Sequence, residues 1–281
     1  MIGVFDSGYG GLTVLKEILK ALPQYDYLYL GDNARTPYGN RSKETVTRFT
    51  DEAVRFLFEN GARLIIIACY TASALALREL QEKYLRSPKS KYRDRKILGV
   101  IRPIVETAVT ETKSNRIGVV GTRGTITSKA FEVELKNQFA ALERSLDIKL
   151  TVVSQACPLL VPLIEEHWHT KPEARMILRK YLRPLKSHNI DTLILGCTHY
   201  PLMLRDFKRI MGKRTRVLDS GKTVAESLKN YLAWHPEIEC QLTKEGKRAF
   251  YTTDDPERFR EFTKTFAGIT IPTQSCRAVC L

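Results

Sequence analysis

The sequence lacks the features that would place a protein in a membrane or outside the cell. No apolar run approaches the roughly 20 residues that are needed to cross a bilayer. Residues 1–6 enter a strand pattern at once, and neither a charged leader region nor a long apolar segment suggests a secretory signal. We therefore expect a cytoplasmic protein with no membrane partner, whose thiols stay reduced.

Cysteine is too sparse for a disulfide framework, because the six cysteines are scattered along 281 residues. A convincing metal-ligand pattern is also lacking. Cys276 and Cys280 have a loose metal-like spacing but no histidine near them, and we interpret the segment from His167 to His169 as solvated surface. No lysine signature for pyridoxal phosphate is evident either. We predict that the protein uses no metal and no cofactor.

Positive charge is the bulk property that stands out, with a formal net charge of +14. A basic surface can bind nucleic acid or anionic lipid. The densest basic segment, residues 86–96, contains Pro and Ser and resembles an exposed connector, and no nucleic-acid-binding motif accompanies it. We therefore favour a small dianionic substrate in a basic cleft over a nucleic-acid partner. A homodimer is the assembly that we consider.

Strand-like and helix-like segments alternate along the chain, as in α/β folds with mostly parallel sheets. The pattern restarts after the basic connector, and residues 116–122 partly echo residues 1–8. We therefore predict two related α/β halves with a cleft between them. The predicted strands include 2–6, 27–30, 65–69, 97–101, 117–120, 150–153 and 192–195. The predicted helices include 12–21, 42–60, 72–84, 104–112, 128–139, 173–187 and 223–231, and residues 246–272 are predicted as strand, helix and terminal strand.

Two cysteines each end an apolar run and begin a polar cluster. Cys69 follows residues 64–68 and Cys197 follows residues 192–196, and both runs have the composition of buried parallel strands. In open α/β sheets, ligands bind beyond the carboxyl ends of such strands. We therefore predict that two thiols flank one substrate carbon and move a proton across it.

Polar groups suited to a small amino acid stand close to these and other strand ends. Asp6 and Ser7 open a glycine-rich turn whose glycine spacing does not match a dinucleotide fingerprint and better suits a small carboxylate. Asp6 could bind an ammonium group, orient a thiol or simply cap the helix. Thr71 and Thr198 can donate hydroxyl groups to a carboxylate, and His199 can stabilise a thiolate two residues before it.

Several motifs together resemble those of glutamate racemases, within the cofactor-independent aspartate/glutamate racemase superfamily. The match runs in order from residue 2 to about residue 230. Its motifs are Asp6–Val14, Pro37–Gly39, Ala68–Ala72, Cys157–Glu165, Leu195–Leu202 and Asp219–Gly221. The resemblance implies two α/β domains with the active site between them. The first comprises residues 1–97 and 208–281, and the second, residues 98–207, is inserted in it.

The resemblance also implies an activity and a set of site residues. Cys69 and Cys197 would exchange protons with the substrate as L- and D-glutamate interconvert, and Asp6, His199 and Glu165 would assist them. The D-glutamate would enter peptidoglycan. The residues expected to contact substrate are Asp6, Ser7, Pro37, Tyr38, Gly39, Tyr70, Thr71, Thr122, Thr198 and His199.

One residue departs from the family pattern, which usually has Asn directly after the first cysteine. This chain has Tyr70 there, and Tyr lacks the compact amide that both donates and accepts hydrogen bonds. Either Tyr70 points elsewhere or the pocket is reshaped. A racemase for aspartate or another amino acid therefore stays open, as does a non-catalytic derivative that binds nucleic acid.

Overall fold

The computed structural model describes residues 1–142 and 149–281, which form two parallel β-sheets flanked by helices. The predicted α/β class with mostly parallel sheets is confirmed. The strands are β1 Ile2–Asp6, β2 Tyr27–Gly31, β3 Leu64–Ile67, β4 Lys96–Gly99, β5 Arg116–Gly121, β6 Thr151–Ala156, β7 Thr192–Gly196, β8 Arg216–Val217, β9 Arg248–Thr252 and β10 Cys276–Ala278. The α-helices are α1 Gly11–Ala21, α2 Lys43–Glu59, α3 Tyr70–Leu75, α4 Leu77–Gln81, α5 Ile101–Glu111, α6 Arg123–Thr127, α7 Ala130–Ala141, α8 Leu160–Glu165, α9 Pro172–Ser187, α10 Leu204–Met211, α11 Ser220–Trp234, α12 Pro236–Glu239 and α13 Pro256–Ala267.

The larger sheet has the strand order β10-β9-β2-β1-β3-β4, and the smaller one has the order β6-β5-β7-β8. All strand pairings within the described ranges are parallel. The strands β1, β3 and β7 are buried along their whole length. Parallel strands covered on both faces are apolar throughout, which explains the continuous apolar runs of the sequence.

Sheet membership locates the two points where the chain crosses between the sheets. The strand β4 ends the first segment of the larger sheet at Gly99, close to the predicted boundary after residue 97. The strand β8, in contrast, pairs with β7 in the smaller sheet, with Arg216 opposite Thr192. The predicted second boundary after residue 207 assigned β8 to the first domain, and backbone pairing places it in the second. We retain a division into two domains as a proposal, with the second domain reaching Val217.

Local signals account for several helix and strand ends. The side chain of Ser42 accepts a hydrogen bond from the backbone N–H of Thr45, as expected for a residue that caps α2. The strand predicted to reach Cys69 ends at Ile67, because Cys69 instead caps α3.

Three further predictions need correction. The single helix predicted over 72–84 is divided into α3, α4 and a π-helical turn over Glu82–Arg86, and the strand predicted over 97–101 ends at Gly99. The terminal strand predicted before residue 272 is wrong, because β10 lies at Cys276–Ala278. The apolar stretch before it follows a left-handed Gly268 and packs into the core without strand pairing.

One apolar core joins the two sheets. Ile2 and Val4 of β1 and Ile117 and Val119 of β5 belong to the same cluster of buried side chains. The helix α11, which directly follows the smaller sheet, contacts both α1 and α5. Since each such side chain contributes about 1.5–3 kcal/mol on burial, this shared core holds the two sheets against each other. None of the described helices has the length and apolar character that a membrane crossing requires.

A surface turn between α5 and β5 is organised by one carboxylate. Asp191 accepts hydrogen bonds from the hydroxyl of Thr112 at 2.7 Å and from the backbone N–H groups of Lys113 at 2.7 Å and Ser114 at 2.6 Å. Burial alone would raise the pKa of Asp191, but these donors outweigh it, so the pKa lies below its usual value. The ionised carboxylate therefore ties the start of β7 to this turn.

We predict that Asp191→Asn lowers the free energy of unfolding at neutral pH by about 1–3 kcal/mol, because hydrogen bonds to a charged acceptor are lost. The contribution of a carboxylate with a lowered pKa is present above the unfolded pKa of roughly 3.9 and is lost as the pH falls through the native pKa. Urea unfolding of both proteins between pH 7 and pH 3 should show a difference that shrinks in acid. Glu59→Gln, at an exposed position, is the control. A pH-independent difference would contradict this explanation.

Candidate active site

The carboxyl ends of strands from both sheets meet at one polar site. From the larger sheet come Asp6 at the end of β1 and Thr71 in the first turn of α3, directly after β3. The smaller sheet contributes Thr122 after β5 and Thr198 after β7. The hydroxyl of Thr198 donates to the carboxylate of Asp6 at 3.4 Å, and the hydroxyls of Thr71 and Thr122 are 2.9 Å apart. These contacts bring the two sheet edges face to face, as the predicted cleft requires.

Cys69 is buried and lies close to the negative charge of Asp6. Its sulfur is 3.2 Å from the hydroxyl oxygen of Ser7 and accepts a hydrogen bond from the backbone N–H of Ala72 at 3.4 Å. Burial and the negative charge of Asp6 raise the pKa of Cys69 to about 12, and charge on Cys197 acts in the same direction. Cys69 is therefore a neutral thiol near pH 7. The two sulfurs are also close enough to interact electrostatically.

Cys197 has a different neighbour, the imidazole of His199. The Nδ1 atom of His199 is 3.9 Å from the Cys197 sulfur, and its Nε2 atom is 3.0 Å from Oε1 of Glu165. Burial alone would lower the pKa of His199, but the hydrogen bonds to Cys197 and Glu165 raise the pKa well above its usual value. A protonated imidazole beside a sulfur favours the thiolate. The two cysteines thus have different neighbours, a buried carboxylate at Cys69 and an imidazole at Cys197.

Asp6 is fully buried at the centre of the glycine-rich turn. Burial raises its pKa, while the charge of His199 and the backbone N–H groups of the turn oppose that shift. The turn needs glycine because the two halves approach closely here. A Cβ atom at Gly10 would lie 2.3 Å from Oγ1 of Thr198 and 2.6 Å from Nδ1 of His199. Glycine thus allows the Asp6 turn to pack against the residues that follow Cys197.

Three hydroxyl groups from both halves of the chain form a cluster. Thr71, Thr122 and Thr125 lie within 2.9–3.2 Å of one another. Thr125 was missed by the sequence reasoning. Its signal is the capping spacing, because its backbone N–H donates to the Thr122 side chain. Each hydroxyl has one donor, so the cluster can bind a carboxylate when a hydroxyl rotates from its neighbour towards it.

The loop from Pro37 to Gly39 lies against this cluster. A Cβ atom at Gly39 would lie 2.6 Å from Cβ of Thr122, so the backbone of the loop packs directly on the second half. The buried Tyr38 hydroxyl donates to the carboxylate of Asp32, a residue that the sequence reasoning did not select. Tyr38 therefore anchors the loop through its hydroxyl.

Tyr70 has its ring in the apolar core that the two halves share. The side chain is 1% exposed and stacks on Phe131, with ring centroids 5.8 Å apart and an interplanar angle of 26°. The sequence left open whether Tyr70 points away from the pocket or reshapes it. This placement corresponds to the first alternative. Its role as a substrate contact stays a prediction.

The site is closed in this structure. The sulfur-bearing residues Cys69 and Cys197 are each 5% exposed, and Asp6, Thr198 and His199 are buried as well. Glu165 is half-buried at the margin of the site. Within residues 1–142 and 149–281, no group of His, Cys, Asp and Glu side chains is arranged to hold a metal ion.

Comparisons with known proteins extend the similarity over nearly the whole chain. A family model described as Asp/Glu/Hydantoin racemase matches residues 2–228. A glutamate racemase from Geobacter metallireducens is 41% identical over 267 residues, which cover 95% of this chain and 92% of that protein. The crystal structure of a glutamate racemase isoform from Bacillus anthracis superposes with a TM-score of 0.86 at 36% identity, covering 100% of this chain and 97% of that one. The crystal structure of a glutamate racemase from Francisella tularensis in complex with D-glutamate superposes with a TM-score of 0.84 at 31% identity, covering 99% of this chain and 97% of that one. The resemblance indicated by the motifs is confirmed.

We predict that Glu165→Gln lowers the pKa of His199, because the negative charge of Glu165 favours the protonated imidazole. The imidazolium would then lose its proton at a lower pH, and Cys197 would lose its cationic neighbour earlier as the pH rises. An NMR titration of the His199 ring measures this directly. Glu166→Gln changes the adjacent exposed carboxylate and should leave the His199 titration unchanged. If His199 titrates identically in both variants, the assignment of Glu165 as the group that stabilises protonated His199 is wrong.

Proposed function

This chain belongs to the Asp/Glu/hydantoin racemase family, and on that premise we propose that it interconverts L- and D-glutamate by a cofactor-independent transfer of protons between two cysteines. The observation that carries the proposal is the electrostatic difference between the cysteines. Cys69 interacts with the buried carboxylate of Asp6, whereas the Cys197 sulfur lies 3.9 Å from Nδ1 of the His199 imidazole. One base and one acid are what inversion at a single carbon requires, if they lie on opposite faces of the substrate.

In the proposed reaction, the Cys197 thiolate removes the α-proton from one enantiomer and the electron pair stays on the α-carbon. The Cys69 thiol then gives its proton to the opposite face of that carbon, which forms the other enantiomer. The enzyme is left with a thiol at Cys197 and a thiolate at Cys69. The reverse direction starts from that state. Because the pKa of Cys69 is raised to about 12, its thiolate is a strong base, which suits removal of a weakly acidic α-proton.

The carbanion must be stabilised by fixed donors, since the proposed mechanism uses no electron-accepting cofactor. Hydroxyl and backbone N–H groups aimed at the α-carboxylate would stabilise the charge that develops there. We assign this role to the cluster formed by Thr71 and Thr122 and to Thr198 on the opposite side. Asp6 would orient the substrate ammonium or the Cys69 thiol. The remaining proposed substrate contacts are Ser7, Pro37, Tyr38, Gly39, His199 and, through its backbone alone, Tyr70, whose ring lies in the shared core.

The proposed chemistry makes a direct prediction for the unaltered chain. Incubation of purified protein with L-glutamate in heavy water should place deuterium at the α-carbon and reduce the optical rotation towards zero, because the returned proton comes from exchangeable thiols. NMR and polarimetry record the two processes on one sample. A panel with aspartate and other L-amino acids tests the substrate. If aspartate alone reacts, the two-base chemistry stands and the substrate assignment is wrong.

Replacement of either cysteine tests the mechanism. Cys69→Ala and Cys197→Ala should each reduce the racemisation rate by about 10²–10⁴-fold or more, the typical contribution of one general acid or base. Cys276→Ala, at a buried free cysteine that the proposal does not use, should keep the unaltered rate. Racemisation at that rate by Cys197→Ala would exclude the two-cysteine mechanism.

We also propose that the D-glutamate supplies peptidoglycan synthesis. The proposal is tested in a bacterial strain that requires external D-glutamate for growth. Expression of this chain should remove the requirement, and expression of Cys197→Ala should not. Growth that still depends on added D-glutamate, with active enzyme in the extract, would argue against this role.

A further inference from the structure

The two cysteines belong to different sheets, so the distance between their sulfurs depends on how the two halves pack. Cys69 is followed directly by Tyr70, the first residue of α3, and Cys197 is preceded directly by Gly196, the last residue of β7. A contact that joins Tyr70 to Gly196 would therefore connect the backbones on which both sulfurs are mounted.

The structure contains such a connection, and Phe131 of α7 provides it. The Phe131 ring stacks on Tyr70, with centroids 5.8 Å apart and an interplanar angle of 26°. Phe131 also lies against the backbone of Gly196, where a Cβ atom would approach its Cε2 atom to 2.9 Å. Tyr70 is 1% and Phe131 is 2% exposed. A rigid, fully buried series thus runs from Cys69 through two rings to Cys197.

We infer that the Tyr70–Phe131 stack is a positioning contact that sets the separation of the two catalytic sulfurs. The inference rests on the proposed function, in which both sulfurs must reach one carbon. Packed interiors resist deformation, so two stacked rings between the halves act as a spacer of fixed thickness. A misplacement of about 1 Å can reduce a reaction rate by roughly 100-fold. The residue that departs from the family pattern thereby gains a specific role.

The ring of Tyr70, and not its hydroxyl, carries this role. The buried Tyr70 hydroxyl has the buried hydroxyl of Ser220 as its neighbour, and among the described residues neither has a hydrogen-bond partner of good geometry. Removal of a buried hydroxyl that lacks such a partner is close to neutral or stabilising. A change to Phe therefore preserves the spacer, whereas a change to Asn or Leu removes the stacked ring.

The test compares Tyr70→Asn and Tyr70→Leu with Tyr70→Phe. We expect the first two to lower kcat for glutamate racemisation about 100-fold, with a change in KM of only a few-fold. In heavy water, they should increase the fraction of deuterium that appears in the unconverted enantiomer. The reason is that one sulfur still removes the proton while the other no longer delivers one. Tyr70→Phe should retain kcat within about twofold and melt at the same or a higher temperature. Leu fills part of the vacated volume and provides a second variant if Asn prevents folding.

Tyr92→Asn is the matched control, because Tyr92 is a buried tyrosine stacked on Phe58 at 4.8 Å within the first half alone. It should lower the melting temperature but leave kcat and the isotope distribution unchanged. Tyr70→Asn or Tyr70→Leu with the kcat of the unaltered chain would overturn the inference, and so would a Tyr70→Phe variant as impaired as these two.

Crystal structures of the unaltered chain and of Tyr70→Leu give a readout that does not depend on activity. The distance between the Cys69 and Cys197 sulfurs should differ between them, and an unchanged distance would also overturn the inference. Failure of the proposed function can be told apart from failure of this inference. If the proposed function is wrong, the unaltered chain racemises no glutamate, whatever the distance between the sulfurs.

Discussion

The contact between the carboxyl edges of the two parallel sheets is the constraint on which the site depends. Each sheet by itself presents one cysteine and half of the polar groups. The hydrogen bond from Thr198 to Asp6 and the approach of Gly10 to His199 join these halves at distances that leave no room for larger side chains. The apolar core behind this edge, which includes residues of both sheets, maintains the contact.

The same closeness gives the two sulfurs different chemistry. At Cys69, burial and the nearby charge of Asp6 both disfavour the thiolate. At Cys197, the imidazole of His199 keeps its proton despite burial, because Glu165 and the sulfur itself stabilise the cation. In the proposed reaction each cysteine is the base for one enantiomer and the acid for the other, so the difference between their neighbours acts on both directions.

Tyr70 shows how a departure from a family pattern can leave the polar site intact. Its backbone remains at the start of α3, so Cys69 and Thr71 keep their positions on either side of it. Its side chain lies in the shared core against Phe131, where a large ring fits and a compact amide would leave space. A change in one side chain can therefore alter the packing between the halves without changing the identity of the groups around the sulfurs.

Much of the fold and the principal site residues followed from local patterns in the sequence. The apolar runs before Cys69 and Cys197, the cap at Ser42 and the glycines after Asp6 predicted strands, a helix start and a tight turn, because each depends on neighbours within a few residues. Such patterns do not decide which sheet the strand near Val217 joins. The strand β8 has only two residues and is defined by its pairing with β7.

Contacts between residues distant in sequence were decided by the tertiary structure alone. Thr71 meets Thr122 across 51 positions, and Tyr70 meets Phe131, which no local periodicity could have indicated. The raised pKa of Cys69 belongs to the same class, because Asp6 acts on it through space. In sequence, the two cysteines are nearly equivalent strand ends. Their difference arises only when folding removes water and brings a carboxylate to one sulfur and an imidazolium to the other, since electrostatic interactions depend on distance and burial and not on position along the chain.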